Sequence, residues 1–180
     1  ALHLLLNRHS CGRLAEPAPS GEVLDNILKA GLRAPDHGTL TPWQFILFEG
    51  EGRERLGTLL AQAARSRGED EESIKKCQEA PLRAPLLIAV ATRYQAHPKV
   101  PKLEQELSAG CALMAMQMAA QAQGFNGIWR SGWFIFDEQI HGALGLAPED
   151  QLVGFLYLGT PMLEARKLRE LPIQDFVRSF

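Results

Sequence analysis

LEQELSAGCALMAMQMAAQAQ, residues 103–123, is the stretch on which the fold of this chain turns. It is the longest helix candidate, and Gly124 directly after it suits a C-terminal cap. Apolar and small residues surround almost its whole circumference, so no broad polar face remains for water, and such a helix must be packed centrally. Ala109, Gly110, Ala112, Ala115, Ala119, Ala120 and Ala122 would let a backbone or a flat ligand approach closely, while Met114, Met116 and Met118 act as adaptable filler.

Upstream of this helix, Pro85 precedes LLIAVAT (86–92), which reads as a strand, and a polar loop with His97, Pro98 and Pro101 joins the two. Further back, WQFILFE (43–49) is aromatic and branched, is closed by Gly50, Glu51 and Gly52, and reads as another strand. Residues 53–67 carry Leu56, Leu59, Leu60 and Ala63 at helical spacing, and the charged run 68–72 after them reads as solvated surface. A helix is expected from an N-cap at Ser20 through Val23, Leu24, Ile27, Leu28 and Leu32, stopped by Ala34-Pro35. Arg13 to Ser20, with Pro17 and Pro19, reads as an extended connection, and Leu2 to Arg8 as the first helix. Downstream, Gly127 to Ser131 opens a strand, Asp137 to Leu144 is a short helix, and LVGFLYL (152–158) is the last strand. Strands separated by helices make the chain α/β or α+β, and no glycine fingerprint joins a strand to a helix as a dinucleotide-binding Rossmann unit requires.

At 180 residues the chain fits one domain. Its net charge of -2 is too small to draw nucleic acid or an anionic membrane, and its apolar runs fall far short of the roughly 20 residues a membrane helix needs. Leu2 to Leu6 is too short for a secretion signal and is followed by Asn7-Arg8-His9 where small residues would stand. Cys11, Cys77 and Cys111 are odd in number and show no CxxC spacing, which argues against a disulfide framework or a zinc site and fits a reducing cytoplasm.

Three clusters carry candidate chemistry. Arg8, His9, Ser10 and Arg13 place guanidinium and hydroxyl groups where they can converge on a phosphate, although arginines after a helix more often cap its carbonyls. Arg33 and His37 lie within six residues of a turn, with no second ligand at metal spacing, so no metal site is expected. Trp129-Arg130-Ser131 sets aromatic surface beside a cation, which suits a planar heterocycle and equally suits core packing. There is no GxSxG elbow and no phosphate loop, so nucleophilic hydrolysis and nucleotide hydrolysis lack support. From the residues alone, a cofactor-using enzyme and a binding protein both remain open.

Read together, N-R-H-S-x-x-R at 7–13, R-A-P-D-H-G-T-L-T-P-W-Q-F at 33–45, S-A-G-C-A-x-M-A-M-Q-M-A-A at 108–120, A-Q-G-F-N-G at 122–127 and L-Y-L-G-T-P at 156–161 resemble the nitroreductase family, and most of all its short, minimal branch. The resemblance implies an α+β fold over residues 1–180, with a central, mostly antiparallel sheet surrounded by helices, and an intertwined homodimer holding FMN at the subunit interface. It implies an oxidoreductase that passes hydride from NADH or NADPH through flavin N5 to electron-poor small molecules such as nitroaromatics or quinones, with the chemistry carried by the flavin rather than by a catalytic side chain. By position, it assigns flavin contacts to Arg8, His9, Ser10, Arg33, His37, Trp129, Arg130 and Ser131, with His37 reaching the flavin of the other subunit. Ala119, Ala120, Gln121, Ala122, Gln123 and Gly124 would border the nicotinamide cofactor. A flavin dehydrogenase or dehalogenase, or a flavin-binding dimer with little turnover, are the alternatives. The second is motivated by Asp36 to Thr41, which departs from the A-P-S-S-x-N-x-Q-P-W commoner in the family. Arg166, Lys167 and Arg169 lie where larger members often carry a phosphate-binding basic residue, and their register is not assigned.

Overall fold

The structure, a computed structural model, describes residues 1–163 and 168–180. Its centre is strand β3 (Leu86–Thr92), in which all seven residues are buried. An unbroken apolar strand needs neighbours on both edges and cover on both faces, and β3 has them. It pairs with β2 (Trp43–Glu49) on one edge and with β5 (Leu152–Pro161) on the other. The far edge of β5 takes β4 (Asn126–Arg130), and its last residues take the two-residue strand β1 (Leu14–Ala15). Every described pairing is antiparallel, so the chain has the α+β architecture expected of it, with helices on both sides of the sheet.

The two faces of β3 follow strand alternation. Leu86, Ile88 and Val90 pack with Leu156 and Leu158 beneath α2 (Gly21–Gly31) and α5 (Lys102–Ala122). Leu87, Ala89 and Ala91 pack with Phe155 and Tyr157 beneath α3 (Glu51–Ser66) and α6 (Glu138–Ala143). Helices α2 and α5 come close because Gly31 has no side chain: a Cβ there would stand 3.0 Å from Met116 Cγ. Helix α5 ends in a Schellman motif, in which Phe125 N–H donates to the Ala120 carbonyl at 3.0 Å and Gly124, at φ +86°, donates to Gln121.

Four local expectations change. Helix α1 spans Leu2–Leu6 and stops before Arg8. The segment from Arg13 to Ser20, read as an extended connection, contains β1, whose two residues pair with the end of β5. The acidic run opens a further helix, α4 (Glu71–Glu79), whose N-cap Asp70 accepts from Ser73 N–H at 2.7 Å and whose Ile74 is buried against α3. One buried residue in nine left too weak a periodicity to read. Finally, α5 is not enclosed on all sides within this chain: Leu103, Leu107 and Met114 are 63%, 60% and 45% exposed. Ser20 does occupy the N-cap of α2, though its side chain makes no capping bond. No described helix is long and apolar enough to cross a membrane.

Candidate functional site

The loop after α1 is held in place by its histidine. Asn126 Nδ2, on β4, donates to His9 Nε2 at 2.9 Å, and the other ring nitrogen lies 3.1 Å from the Asn7 carbonyl. Gln121 of α5 presents its amide to the same ring at 3.2 Å, and Cys11 N–H donates to the Gly127 carbonyl at 2.9 Å, which carries the loop alongside β4. His9 therefore serves the backbone of the loop, while Arg8 Nη1 and Ser10 Oγ, 3.5 Å apart, remain at the surface. A guanidinium and a hydroxyl side by side on a pinned loop are suited to a phosphate.

Trp129 and Arg130 leave β4 on opposite faces. The Trp129 indole lies over Gly110 of α5, where an added Cβ would touch it at 3.4 Å, and its Nε1–H donates to the Val153 carbonyl at 3.2 Å. The Arg130 guanidinium turns the other way. It stands 5.5 Å from the Tyr157 ring and within 3.5 Å of where a Cβ on Gly12 would be. It thus connects the Arg8–Ser10 loop to a cavity of about 380 Å³ lined by Leu60, Cys77, Arg83, Arg130, Phe134 and Tyr157, with Ser131 at its margin. Arg130 Nε is buried with no hydrogen-bond partner among the described residues. Burial pushes the Tyr157 hydroxyl up to about 12 against the opposing pull of Arg130 and Arg83, and burial together with the Glu69 carboxylate raises the Cys77 thiol. Arg83, Tyr157 and Cys77 were not singled out from sequence. They come from segments far apart in the chain, and no local pattern marks them.

Arg33 and His37 are not brought to this place. Both are exposed beyond the end of α2, where His37 Nδ1 lies 2.6 Å from Glu104 Oε2 in the first turn of α5 and Ser108 Oγ donates to the Pro35 carbonyl at 2.6 Å. Glu104 and Gln121 stand at opposite ends of α5, about 25 Å apart at the helical rise. Within one chain His37 and the Arg8–Ser10 loop therefore cannot grip the same ring. The backbone just after His37 is unusual: Thr39 and Thr41 take φ of +53° and +49°, and Asp36 holds the turn by accepting from Leu40 and Thr41 N–H at 3.0 and 2.8 Å.

Of the segment 119–124, Ala120 is wholly buried in the core and presents no surface, Gln121 faces His9, and Gln123 is tied to the carbonyls of Val23 and Ala119. Ala122 and Gly124 are exposed. Arg169 is exposed, whereas Arg166 and Lys167 lie outside the described residues.

The residues fit a phosphorylated, flat heterocycle such as FMN. A cation and a hydroxyl stand on a rigid loop, and beside them is a cavity within the roughly 300–1,000 Å³ usual for cofactor sites, offering an unpartnered buried donor.

Comparison with known proteins agrees with this architecture. The model of the nitroreductase family matches residues 5–160. The chain is 55% identical over 172 residues to YdjA of Escherichia coli (strain K12), provisionally named an NAD(P)H nitroreductase, covering 96% of this chain and 94% of that one. A nitroreductase-like family protein from Bacillus cereus superposes with a TM-score of 0.85 at 21% identity, covering 99% of this chain and 95% of the other. A provisionally named nitroreductase of Desulfovibrio desulfuricans in complex with FMN gives 0.76 at 20% identity over 99% and 95%. At such identities these two solved structures speak for the fold.

Proposed function

The chain belongs to the nitroreductase family, and from that premise we propose that it is an FMN-dependent oxidoreductase, working as a homodimer, that takes reducing equivalents from NADH or NADPH and delivers them to electron-poor acceptors such as nitroaromatics or quinones. The observation that carries the reading is Arg130, which links the pinned Arg8–Ser10 loop to the neighbouring cavity and keeps a buried donor unpartnered among the described residues. A relative at 55% identity bears an NAD(P)H nitroreductase name, and a protein of the same fold holds FMN.

Bound FMN supplies the hydride chemistry at N5. The protein's own residues bind and orient. Arg8 and Ser10 hold the phosphate, and Arg130 and Ser131 face the ring from the cavity side, while Trp129, on the other face of β4, packs over Gly110 of α5. Ala122 and Gly124, exposed at the end of α5, border the nicotinamide donor.

The dimer is supported by what one chain leaves uncovered. Leu103, Leu107 and Met114 of α5, together with Phe136 and Trp129, line an apolar groove of about 470 Å³, and Ile173, Phe176 and Val177 of the C-terminal tail are 75%, 70% and 64% exposed. Surface of this kind is covered by a partner in stable assemblies. A second copy crossing α5 in the opposite sense would also carry its His37 to the Arg8–Ser10 loop, which the length of α5 forbids within one chain.

The test is an FMN titration of the purified protein followed by steady-state NADPH oxidation with a quinone or nitroaromatic. Flavin uptake with turnover, both sharply reduced in Arg8→Ala, is the expected result. A protein that ignores FMN overturns the reading, and one that binds FMN without acceptor-dependent NADPH or NADH oxidation is a flavin-binding protein instead.

A further inference from the structure

The cavity beside β4 has a one-sided chemistry. It is bounded by β4 and β5 on one side and, on the other, by α3, α4 and the 3₁₀ turn Ala80–Arg83. Two guanidiniums, Arg83 and Arg130, line it, and no carboxylate among the described residues does. Tyr157 is only 4% exposed, Arg130 Nε is buried with no hydrogen-bond partner among the described residues, and Arg83 reaches the cavity from the surface. The remaining walls are Leu60, Ile128, Phe134 and Phe155. A buried donor without an acceptor is costly in a folded chain, so a site that sets the Arg130 donor beside a second guanidinium, a phenol and apolar walls is shaped for a ligand with a flat body and an edge of acceptors.

We propose that Arg83 and Tyr157, together with Arg130, form a donor set that holds the N1–C2=O edge of the flavin ring, making Arg83 and Tyr157 binding residues of this site. The inference rests on the flavin reading above and adds residues that the family motifs did not mark. The ring offers acceptors at N1 and C2=O on one end and an apolar dimethylbenzene on the other, and the cavity offers both kinds of wall: Arg83 and Arg130 both lie close enough to Tyr157 to act on its hydroxyl, and Leu60 and Phe134 are apolar. Arg130 joins the cavity to the phosphate-binding loop through Gly12, so a single ligand can reach both. Reduction places negative charge at N1 and C2=O, and two guanidiniums without a neutralising carboxylate favour that form. Arg83 therefore influences the flavin's potential as well as its affinity.

Cys77 lines the same cavity without belonging to the donor set and serves as a reporter. The experiment compares N-ethylmaleimide labelling of Cys77, followed by mass spectrometry, in the FMN-loaded protein and after FMN is stripped. Bound FMN is expected to slow labelling about tenfold or more. Arg83→Gln and Tyr157→Phe, one at the surface and one preserving the ring, should each weaken FMN affinity about tenfold, the loss expected for a hydrogen bond to a charged or strongly polar acceptor. Arg83→Gln should also lower the flavin's reduction potential, whereas Tyr157→Phe should shift it less. If Cys77 reacts equally fast with FMN bound, or if both variants bind FMN as the parent does, the donor set is wrong while the flavin reading stands. If the parent protein takes up no FMN, the flavin reading fails and this inference falls with it.

Discussion

His9 Nε2 accepts a hydrogen bond from Asn126 Nδ2 across 2.9 Å, and that contact, together with Cys11 N–H to the Gly127 carbonyl, joins the loop after the first helix to the strand that carries Trp129 and Arg130. Asn126 is 3% exposed, so removing its partner leaves a buried amide unsatisfied. His9→Ala should lower stability by about 1–3 kcal/mol and weaken FMN binding, because Arg8 and Ser10 lose their fixed position. Thermal unfolding with and without FMN reads both effects; an unchanged melting temperature would show that the loop is held by something else.

The exposed face of α5 is expected to lie against its counterpart in a second copy. Leu107→Glu combined with Met114→Glu places charge in that contact while leaving the buried face of the helix intact. Sedimentation should shift from dimer to monomer, and FMN occupancy should fall with it. A doubly substituted protein that remains dimeric would rule out this face as the interface.

His37 and Glu104 form a pair at the surface, 2.6 Å apart, with side chains 57% and 45% exposed. Such a pair contributes little to folding, so His37→Ala should leave the stability of the flavin-free protein within about 0.5 kcal/mol. If His37 reaches the partner's flavin, the same variant should weaken FMN affinity about tenfold. Equal affinity in parent and variant would remove His37 from the site.

Gly57 of α3 faces α4 so closely that an added Cβ would overlap the carbonyl oxygen of Gln78. Gly57→Ala should therefore destabilise the protein by about 1–3 kcal/mol, despite the better helix propensity of alanine. Chemical denaturation checks this, and a stabilised variant would mean that α4 can move away freely.

Tyr157 yields a pH dependence. Its hydroxyl ionises near 10.0 when unfolded and at about 12 in the folded protein. Below the lower value both states are neutral and the group adds no slope. Between the two, only the unfolded chain loses the proton, so stability falls as pH rises, by up to about 1.4 kcal/mol per pH unit. Tyr157→Phe should flatten that segment of the alkaline stability profile relative to the parent. Identical profiles would place the hydroxyl in contact with solvent.

Much of the fold was legible because the signals were local. The apolar runs at 43–49, 86–92 and 152–158 read as strands, the small-residue helix closed at Gly124, and Ala34-Pro35 marked the end of α2. Helix α4 was missed because only Ile74 among its residues is buried, and β1 because two residues carry no period. The motif Arg8-His9-Ser10 was visible in the sequence, but the division of labour within it was not, since the imidazole's partners, Gln121 and Asn126, lie more than a hundred positions away.

By itself the sequence determined most element types, through periodicity and caps, and the family, through motif order along the chain, and with the family the α+β class. Only the tertiary structure decided that Trp129 and Arg130 serve opposite faces of one strand, that Arg83, Tyr157 and Cys77 meet Arg130 around one cavity, and that His37 stands about 25 Å along α5 from the Arg8–Ser10 loop of its own chain. The physical reason is that convergence in space comes from strand pairing and helix packing between distant segments, and no local pattern of residue types records where those segments meet.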